Sequence, residues 1–259
     1  MKLGASYSFF DGEELLRYSI KSIRDSVDYV VVVAQEFSYT GNPWTSEAKE
    51  LCDELLRDGL VDNLVIFTAL SGMSPHEQEV CKRNLGLDDC RKNGCEYIMS
   101  MDSDEFYKHD ELIQAKTIIE EQAINISYCS FYMYYKEPIY REVAIPETKV
   151  AFMQKVSPTS KFVLSESDKY RHIALIDPTR TTDIGPPVKL YGDDVIMMHH
   201  MCHIRKDSLV SKYKNTSAYQ HYLPNNLAEK LSEEYKNWKF IEGDSLNIIK
   251  VENIFNISI

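Results

Sequence analysis

The first 105 residues alternate strand-like and helix-like segments four times, and few folds accommodate that rhythm. Lys2 to Phe10 is apolar and β-prone. After the polar turn Asp11-Gly12-Glu13-Glu14, Leu15, Leu16, Ile20 and Ile23 recur at helical spacing. Acidic residues in that first turn suit the positive end of a helix dipole. Tyr29 to Ala34 is apolar on both faces, as a strand buried in a parallel sheet is. A helix from Ser46 to Arg57, a strand from Val61 to Phe67, a helix from Glu77 to Lys92 capped by Asn93-Gly94, and a strand from Tyr97 to Met101 complete the series. The expected fold class is α/β, a mostly parallel, Rossmann-like sheet flanked by helices on both faces. Ligands of such sheets bind at the carboxyl ends of the strands.

The second half is less regular. Helices are expected over Glu111 to Ala123, Lys206 to Tyr222 and Leu227 to Trp238. Strands are expected over Ser127 to Lys136, Val150 to Gln154 and Asp194 to Met198. No linker or repeat interrupts the chain, so residues 1–259 read as one domain with halves 1–107 and 108–259.

Composition excludes several partners. The net charge of -11 argues against nucleic acid, whose phosphates need a basic face. No run approaches the ~20 apolar residues of a membrane span, and the N-terminus soon meets Asp11, Glu13 and Glu14, unlike a signal peptide. A soluble, cytoplasmic protein is expected. The six cysteines form no CxxC pair, so free buried thiols are expected rather than a zinc ribbon.

The strongest chemical signal is Met101-Asp102-Ser103-Asp104-Glu105-Phe106, two carboxylates at i and i+2 directly after a buried strand. Hard cations such as Mn²⁺ and Mg²⁺ take oxygen ligands and keep positions open for phosphate. The run His199-His200-Met201-Cys202-His203 follows the last apolar strand and could complete such a site. Arg83, Asn84, Arg205 and Lys212 could contact phosphate or base, the arginines through bidentate contacts. Tyr128, Tyr132, Tyr134, Tyr135 and Tyr140 crowd one stretch, with Tyr39 and Trp44 elsewhere, as core packing or as platforms for sugars and bases.

Several of these segments together resemble a known family. Phe10-Asp11-Gly12-Glu13-Glu14-Leu15-Leu16, with Ser22-Ile23 and Val27-Asp28 before a valine strand, looks like the opening of family-two-type glycosyltransferases, which usually show Tyr-Asn at Phe10-Asp11. Lys82-Arg83-Asn84-Leu85-Gly86 and the run through Gly94-Cys95-Glu96-Tyr97 into Asp102-Ser103-Asp104 are similar to the approach to that family's DxD motif. His199-His200-Met201 with Arg205-Lys206-Asp207 is similar to the metal-binding histidine region of some members.

The resemblance covers the first 110 residues best. It implies a GT-A fold, a nucleotide-sugar donor (a UDP-sugar foremost), and Mn²⁺ or Mg²⁺. The acceptor would be a glycan, a lipid-linked sugar or a protein-linked sugar. By position, Asp104 would ligate the metal. Asp102 would contact ribose, or the metal through water, and His200 or His199 would supply the distal ligand. Tyr7, Phe9, Gln35 and Arg83 would hold the nucleoside, although the family often has Asp at Gln35. Ser103 belongs to the same motif. Glu137 is the candidate base, with Glu142 and Asp168 behind it. A nucleotidyltransferase of similar sheet, or a non-catalytic nucleotide- or carbohydrate-binding module, are the alternatives; the acidic turn after the first strand argues against the former.

Overall fold

The structure, a computed structural model, describes residues 1–164, 175–206, 209–241 and 247–259. In chain order the first half comprises β1 (Leu3–Phe9), α1 (Glu13–Ile23), β2 (Tyr29–Gln35), α2 (Ser46–Arg57), β3 (Asn63–Phe67), α3 (Pro75–Lys92), β4 (Tyr97–Asp102) and β5 (Glu105–Phe106). The second half continues with α4 (His109–Glu121), β6 (Ile126–Tyr135), β7 (Tyr140–Glu142), β8 (Thr148–Lys155), β9 (Phe162–Val163), β10 (Leu175–Ile176), β11 (Thr181–Thr182), β12 (Val188–Tyr191), β13 (Met197–His203), α5 (Val210–Asn215), α6 (Tyr219–Tyr222), α7 (Leu227–Asn237) and β14 (Ile248–Lys250).

The central sheet runs β3-β2-β1-β4 in parallel, then β8 and β6 in antiparallel pairings. β6 is long enough to serve two neighbours along one edge. Ile126 to Cys129 pair with β12, and Ser130 to Tyr135 pair with β13. The short β5 closes antiparallel on β13, His199 opposite Phe106 and His200 opposite Glu105. That contact ties the end of the first half to the second.

Strand alternation sorts the core into two layers. Leu3, Ala5, Tyr7 and Phe9 of β1 pack with Leu16, Ile20, Ala48, Leu55, Leu112 and Ile119 of α1, α2 and α4. Val31, Val33 and Ile98 face the other way and pack with Leu87 and Cys90 of α3. α3 begins with Ser74 and Glu77 in a reciprocal capping box and Pro75 at the first turn. It lies so close to β1 that a Cβ at Gly86 would meet Ser6 Oγ at 1.7 Å and Ser6 Cβ at 2.7 Å. The six cysteines are free thiols, five of them buried.

Two expectations need correction. The histidines do not follow the last apolar strand but lie within it, because β13 spans Met197–His203. Pairing with both β5 and β6 extends the strand past its apolar residues. Nor is Lys206 to Tyr222 one helix. α5 ends at Asn215, and Thr216 turns extended at φ -71°, ψ 157°, before the four-residue α6. Asn, Thr and Ser in succession at 215–217 compete with helical bonding through their own side chains.

Candidate active site

The acidic turn is held from all sides. Ser103 Oγ donates to the Asp11 carbonyl at 3.0 Å. The Asp102 N–H donates to Glu105 Oε2 at 3.1 Å, and the Met201 N–H to the Asp104 carbonyl at 2.8 Å. Gly12, which precedes α1 at φ +83°, lies against this turn; a Cβ there would meet Ser103 Oγ at 2.6 Å.

Two sets of cations divide the carboxylates. Arg180 bonds Asp102 Oδ2 and lies 2.6 Å from Glu105 Oε1, with its Nη1 2.9 Å from Glu105 Oε2. Arg83 donates to Ser100 Oγ at 2.6 Å and to Asp102 Oδ1 at 3.5 Å. Asp177 closes the network, 3.3 Å from Arg180 and 3.9 Å from Arg83. Burial pushes the Asp102 carboxyl up, but Arg180 and Arg83 outweigh it and the pKa falls below the usual value. Burial wins at Glu105, whose pKa is raised despite Arg180.

The Asp104 side differs. Its Oδ2 receives Lys212 at 2.9 Å and Arg205 at 3.1 Å, while its Oδ1 lies 3.4 Å from His200 Nε2. Burial opposes ionisation, yet Lys212, His200 and Arg205 hold the carboxyl well below the normal range.

Asp102, Ser103, Asp104, His200 and Lys212 line a cleft of about 420 Å³ at the carboxyl ends of β1 and β4. Ser8, Phe10, Asp11, Tyr39 and Lys82 form one wall of it. Lys82 donates to Tyr39 OH at 3.0 Å, and burial pulls its ammonium pKa down to about 8. A second cavity of about 1010 Å³ shares Phe10, Asp11, Lys212 and Asn215 with the first and is bordered by Trp44 and Arg205.

The remaining expected site residues fall elsewhere. Tyr7 and Phe9 are fully buried, Tyr7 OH lying 3.1 Å from Ser19 Oγ. Gln35 is buried with its amide on Gln78 at 3.0 Å. Asn84 forms two bonds to the Phe162 backbone, at 2.9 and 2.8 Å. Arg83 grips Asp102 from behind rather than lining the cleft. His199, neighbour to His200 on an alternating strand, turns to the opposite face and bonds Tyr134 OH at 2.7 Å among Tyr132 and Phe255. Burial lowers its pKa to about 3. Glu137 stands exposed on the turn after β6, and Glu142 is half-buried on β7 near His203 and Cys202. Asp168 lies outside the described residues.

Sequence reasoning missed Arg180, Asp177 and the cleft roles of Ser8, Phe10 and Asp11. For the β1 residues the signal was present. Alternation with buried Tyr7 and Phe9 sends Ser8 to the other face. Arg180 follows an irregular loop, where no period exists to place it.

Among the described residues no three His, Cys, Asp or Glu side chains converge as a ready metal cage. Mg²⁺ and related cations at phosphate sites need only one or two protein ligands, with phosphate and water completing the shell. Asp104 Oδ1 and His200 Nε2 are close enough for one ion to touch both, and both line the cleft. The donor set therefore fits Mn²⁺ or Mg²⁺ brought with a phosphate ligand.

No known family profile and no curated protein matches the chain. Among solved structures it is similar to S. aureus TarS, with 14% identity and a TM-score of 0.49 over 78% of this chain and 37% of that one. It is also similar to TarS 1-349 in complex with UDP-GlcNAc, with 12% identity and a TM-score of 0.46 over 92% and 73% of the two chains. A third likeness is to the mannosyltransferase PcManGT from Pyrobaculum calidifontis in complex with GDP-Man and Mn²⁺, with 15% identity and a TM-score of 0.34 over 53% and 36%. The chain thus spans little more than a third of the length of the first of these TarS chains. No helix among the described residues is long and apolar enough to cross a membrane.

Proposed function

We propose that this chain is a glycosyltransferase that takes a nucleotide-sugar, a UDP-sugar foremost, with Mn²⁺ or Mg²⁺, and passes the sugar to a hydroxyl acceptor. The observation that carries this reading is the position of Asp104. It lies at the carboxyl ends of parallel strands, in a cleft, with His200 on one oxygen and Lys212 and Arg205 on the other. A nucleoside diphosphate carries its charge in a compact group, and this corner offers a cation site flanked by ammonium and guanidinium groups.

Asp104 and His200 would hold the cation, which when bound neutralises charge on the leaving diphosphate. Lys82, its pKa near 8, is mostly protonated at neutral pH and donates to a phosphate oxygen from the opposite wall. Phe10 and Tyr39 offer aromatic surface to the base. Arg83 and Arg180 keep Asp102 at the rim, where its carboxylate, 37% exposed, accepts from a ribose hydroxyl. In the transfer the acceptor hydroxyl oxygen bonds to the anomeric carbon. The bond from that carbon to the diphosphate oxygen breaks, and its electron pair leaves with the diphosphate. We assign the proton to Glu142 rather than Glu137, because burial raises its pKa and its neighbours His203 and Cys202 line the cleft.

The reading is tested by thermal unfolding with UDP, GDP, CMP and dTDP, each with and without Mn²⁺. A native-state ligand at a hundredfold excess over its Kd adds ~2.7 kcal/mol of stability. A metal-dependent shift with one nucleoside diphosphate is expected. Absence of a shift with every nucleotide sinks the proposal.

A further inference from the structure

The cleft changes character along its length. Around the acidic turn its walls carry Asp11, Glu79, Lys82, Asp102, Asp104 and Asp177. Beyond Lys212, the wall built by the end of β13, α5 and α6 presents His203, Tyr213, Thr216, Ser217 and Tyr222, with no carboxylate, Lys or Arg among them. A line of contacts connects the two ends. His200 lies 3.4 Å from Asp104. Cys202, on the same strand, lies beside both His200 and His203 and lines the cleft with them. The His203 ring meets the Tyr213 ring at 6.5 Å, and Tyr213 stacks on Tyr222 at 4.5 Å and 22°.

This aromatic corner is built rather than incidental. Tyr213 is 7% exposed and packs into a small core with Leu209, Ala228 and Tyr235, so it is a fixed backing for Tyr222. Tyr222 is only half-buried although it lines the cleft. Stacking fixes its ring plane, so a ligand that meets it finds a preorganised surface. Ser217 and Thr216 place hydroxyls beside it on the same wall. Lys212, between the two ends, is engaged by Asp104.

Among the described residues this wall offers an anionic acceptor no Lys or Arg, and a purely apolar acceptor would strand its hydroxyls. A pyranose matches both features. Its C–H face lies on an aromatic ring while its hydroxyls reach short polar side chains. We propose that this wall is the acceptor subsite and that the acceptor is an uncharged carbohydrate whose terminal ring stacks on Tyr222. The inference rests on the glycosyltransferase reading and names the acceptor class of that same cleft.

The test offers three acceptor classes with a UDP-sugar and Mn²⁺: uncharged aryl pyranosides, polyol-phosphate oligomers and Ser/Thr peptides. Saturation-transfer NMR of the pyranosides, with UDP and Mn²⁺ present, follows binding directly. Transfer to the uncharged glycosides is expected, with saturation strongest on the ring protons. In Tyr222→Ala the acceptor KM rises about tenfold, as loss of one aromatic contact predicts, while the UDP–Mn²⁺ thermal shift persists. Tyr222→Phe keeps the platform and the low KM, and so separates stacking from misfolding. Transfer confined to the phosphate oligomers or peptides overturns the proposal, as does an unchanged acceptor KM in Tyr222→Ala. Nucleotide binding without pyranoside binding or transfer overturns the acceptor class while leaving the donor reading intact. Loss of nucleotide binding in the parent protein overturns both.

Discussion

Asp102 and Asp104 are two residues apart, yet the regions around them are built on different plans. Around Asp102, two guanidinium groups and two further carboxylates form a closed network. Its cations come from α3 and from the loop before β11, so it clamps the first half of the chain to the second. Around Asp104 the partners are two side chains of the 205–212 segment and one strand histidine, and all except Arg205 line the cleft. On the proposed reading, a metal with a diphosphate would exchange for Lys212 there. No such exchange is open at Asp102 without unpairing buried charge. The difference teaches that two carboxylates of one turn need not act as a unit: both line the cleft, but Asp102 is tied into a closed ion-pair network while Asp104 is held by groups that mostly line the cleft themselves.

The sharpest way to break this comparison is Arg180→Met. Arg180 and Glu105 side chains are 4% and 3% exposed, so the substitution strands Glu105 as an unpaired buried charge. Loss of one partner of such a pair costs about 3–5 kcal/mol. Urea unfolding should show that loss, and adding Glu105→Gln should recover part of it. A cost within about 0.5 kcal/mol, the scale of an ordinary surface substitution, would place the clamp elsewhere.

Asp104→Asn comes next and acts on the other quantity. It keeps the shape of the side chain and removes the charge that a cation requires. Turnover should fall by roughly a hundredfold to a thousandfold, the scale for loss of one electrostatic group at a reacting centre, and the Mn²⁺-dependent nucleotide shift should vanish. Asp102→Asn should show the reverse emphasis, with more stability lost than metal dependence. Equal loss of metal dependence in both variants would mean that the two carboxylates share the ion, and the contrast would collapse.

The same contrast sets how much the sequence could tell. The four alternations of the first half were legible because each strand is apolar and α1 and α2 carry periodic faces; α3, which buries Gln78, Lys82 and Arg83, was marked instead by its Asn93-Gly94 stop, and α2 coincides with the expected span from Ser46 to Arg57. The acidic turn was legible as the end of such a strand. Which side of a strand faces the cleft was not. Tyr7 and Phe9 were expected in the site, yet they are buried core and Ser8 lines the cleft. The same ambiguity covered His199 and His200, since a one-residue change of parity exchanges the faces. Arg180 was invisible for another reason. Its partners Asp102 and Glu105 are 78 and 75 residues away in sequence, and no local pattern encodes a contact of that range.

Gly86→Ala measures how rigidly the Asp102 region is seated. α3 carries Lys82 and Arg83, and its approach to β1 depends on the missing Cβ. Alanine would gain about 1 kcal/mol of helix propensity. That gain is outweighed because Ser6 Cβ, fixed to the strand backbone, would lie at 2.7 Å. Overpacking of this kind costs about 1–3 kcal/mol, so a net destabilisation is expected. Pairing it with Ser6→Gly should relieve the clash. A stable Gly86→Ala protein would show that α3 can withdraw and that Arg83 is held loosely.

The smallest effect separates the two neighbours on β13. His200 faces the cleft, whereas His199 is 2% exposed on the other face, with Nδ1 on Tyr134 OH and Nε2 buried without a partner. Its pKa of about 3 means that the folded protein keeps it neutral. The unfolded chain binds a proton there below pH ~6.5. Between those two values the unfolded state holds more protons, so stability rises with pH and falls on acidification, by at most ~1.4 kcal/mol per pH unit from this group. Phenylalanine at 199 keeps a ring against Phe255 and cannot titrate. His199→Phe should cost about 1 kcal/mol at pH 7, from the unpaired Tyr134 hydroxyl, and this deficit should shrink toward zero near pH 5.5. Urea unfolding at pH 7, 6 and 5 resolves the slopes. Parallel slopes in parent and variant would mean that His199 is not the buried neutral residue of this pair, and the division of β13 into a structural face and a cleft face would have to be redrawn.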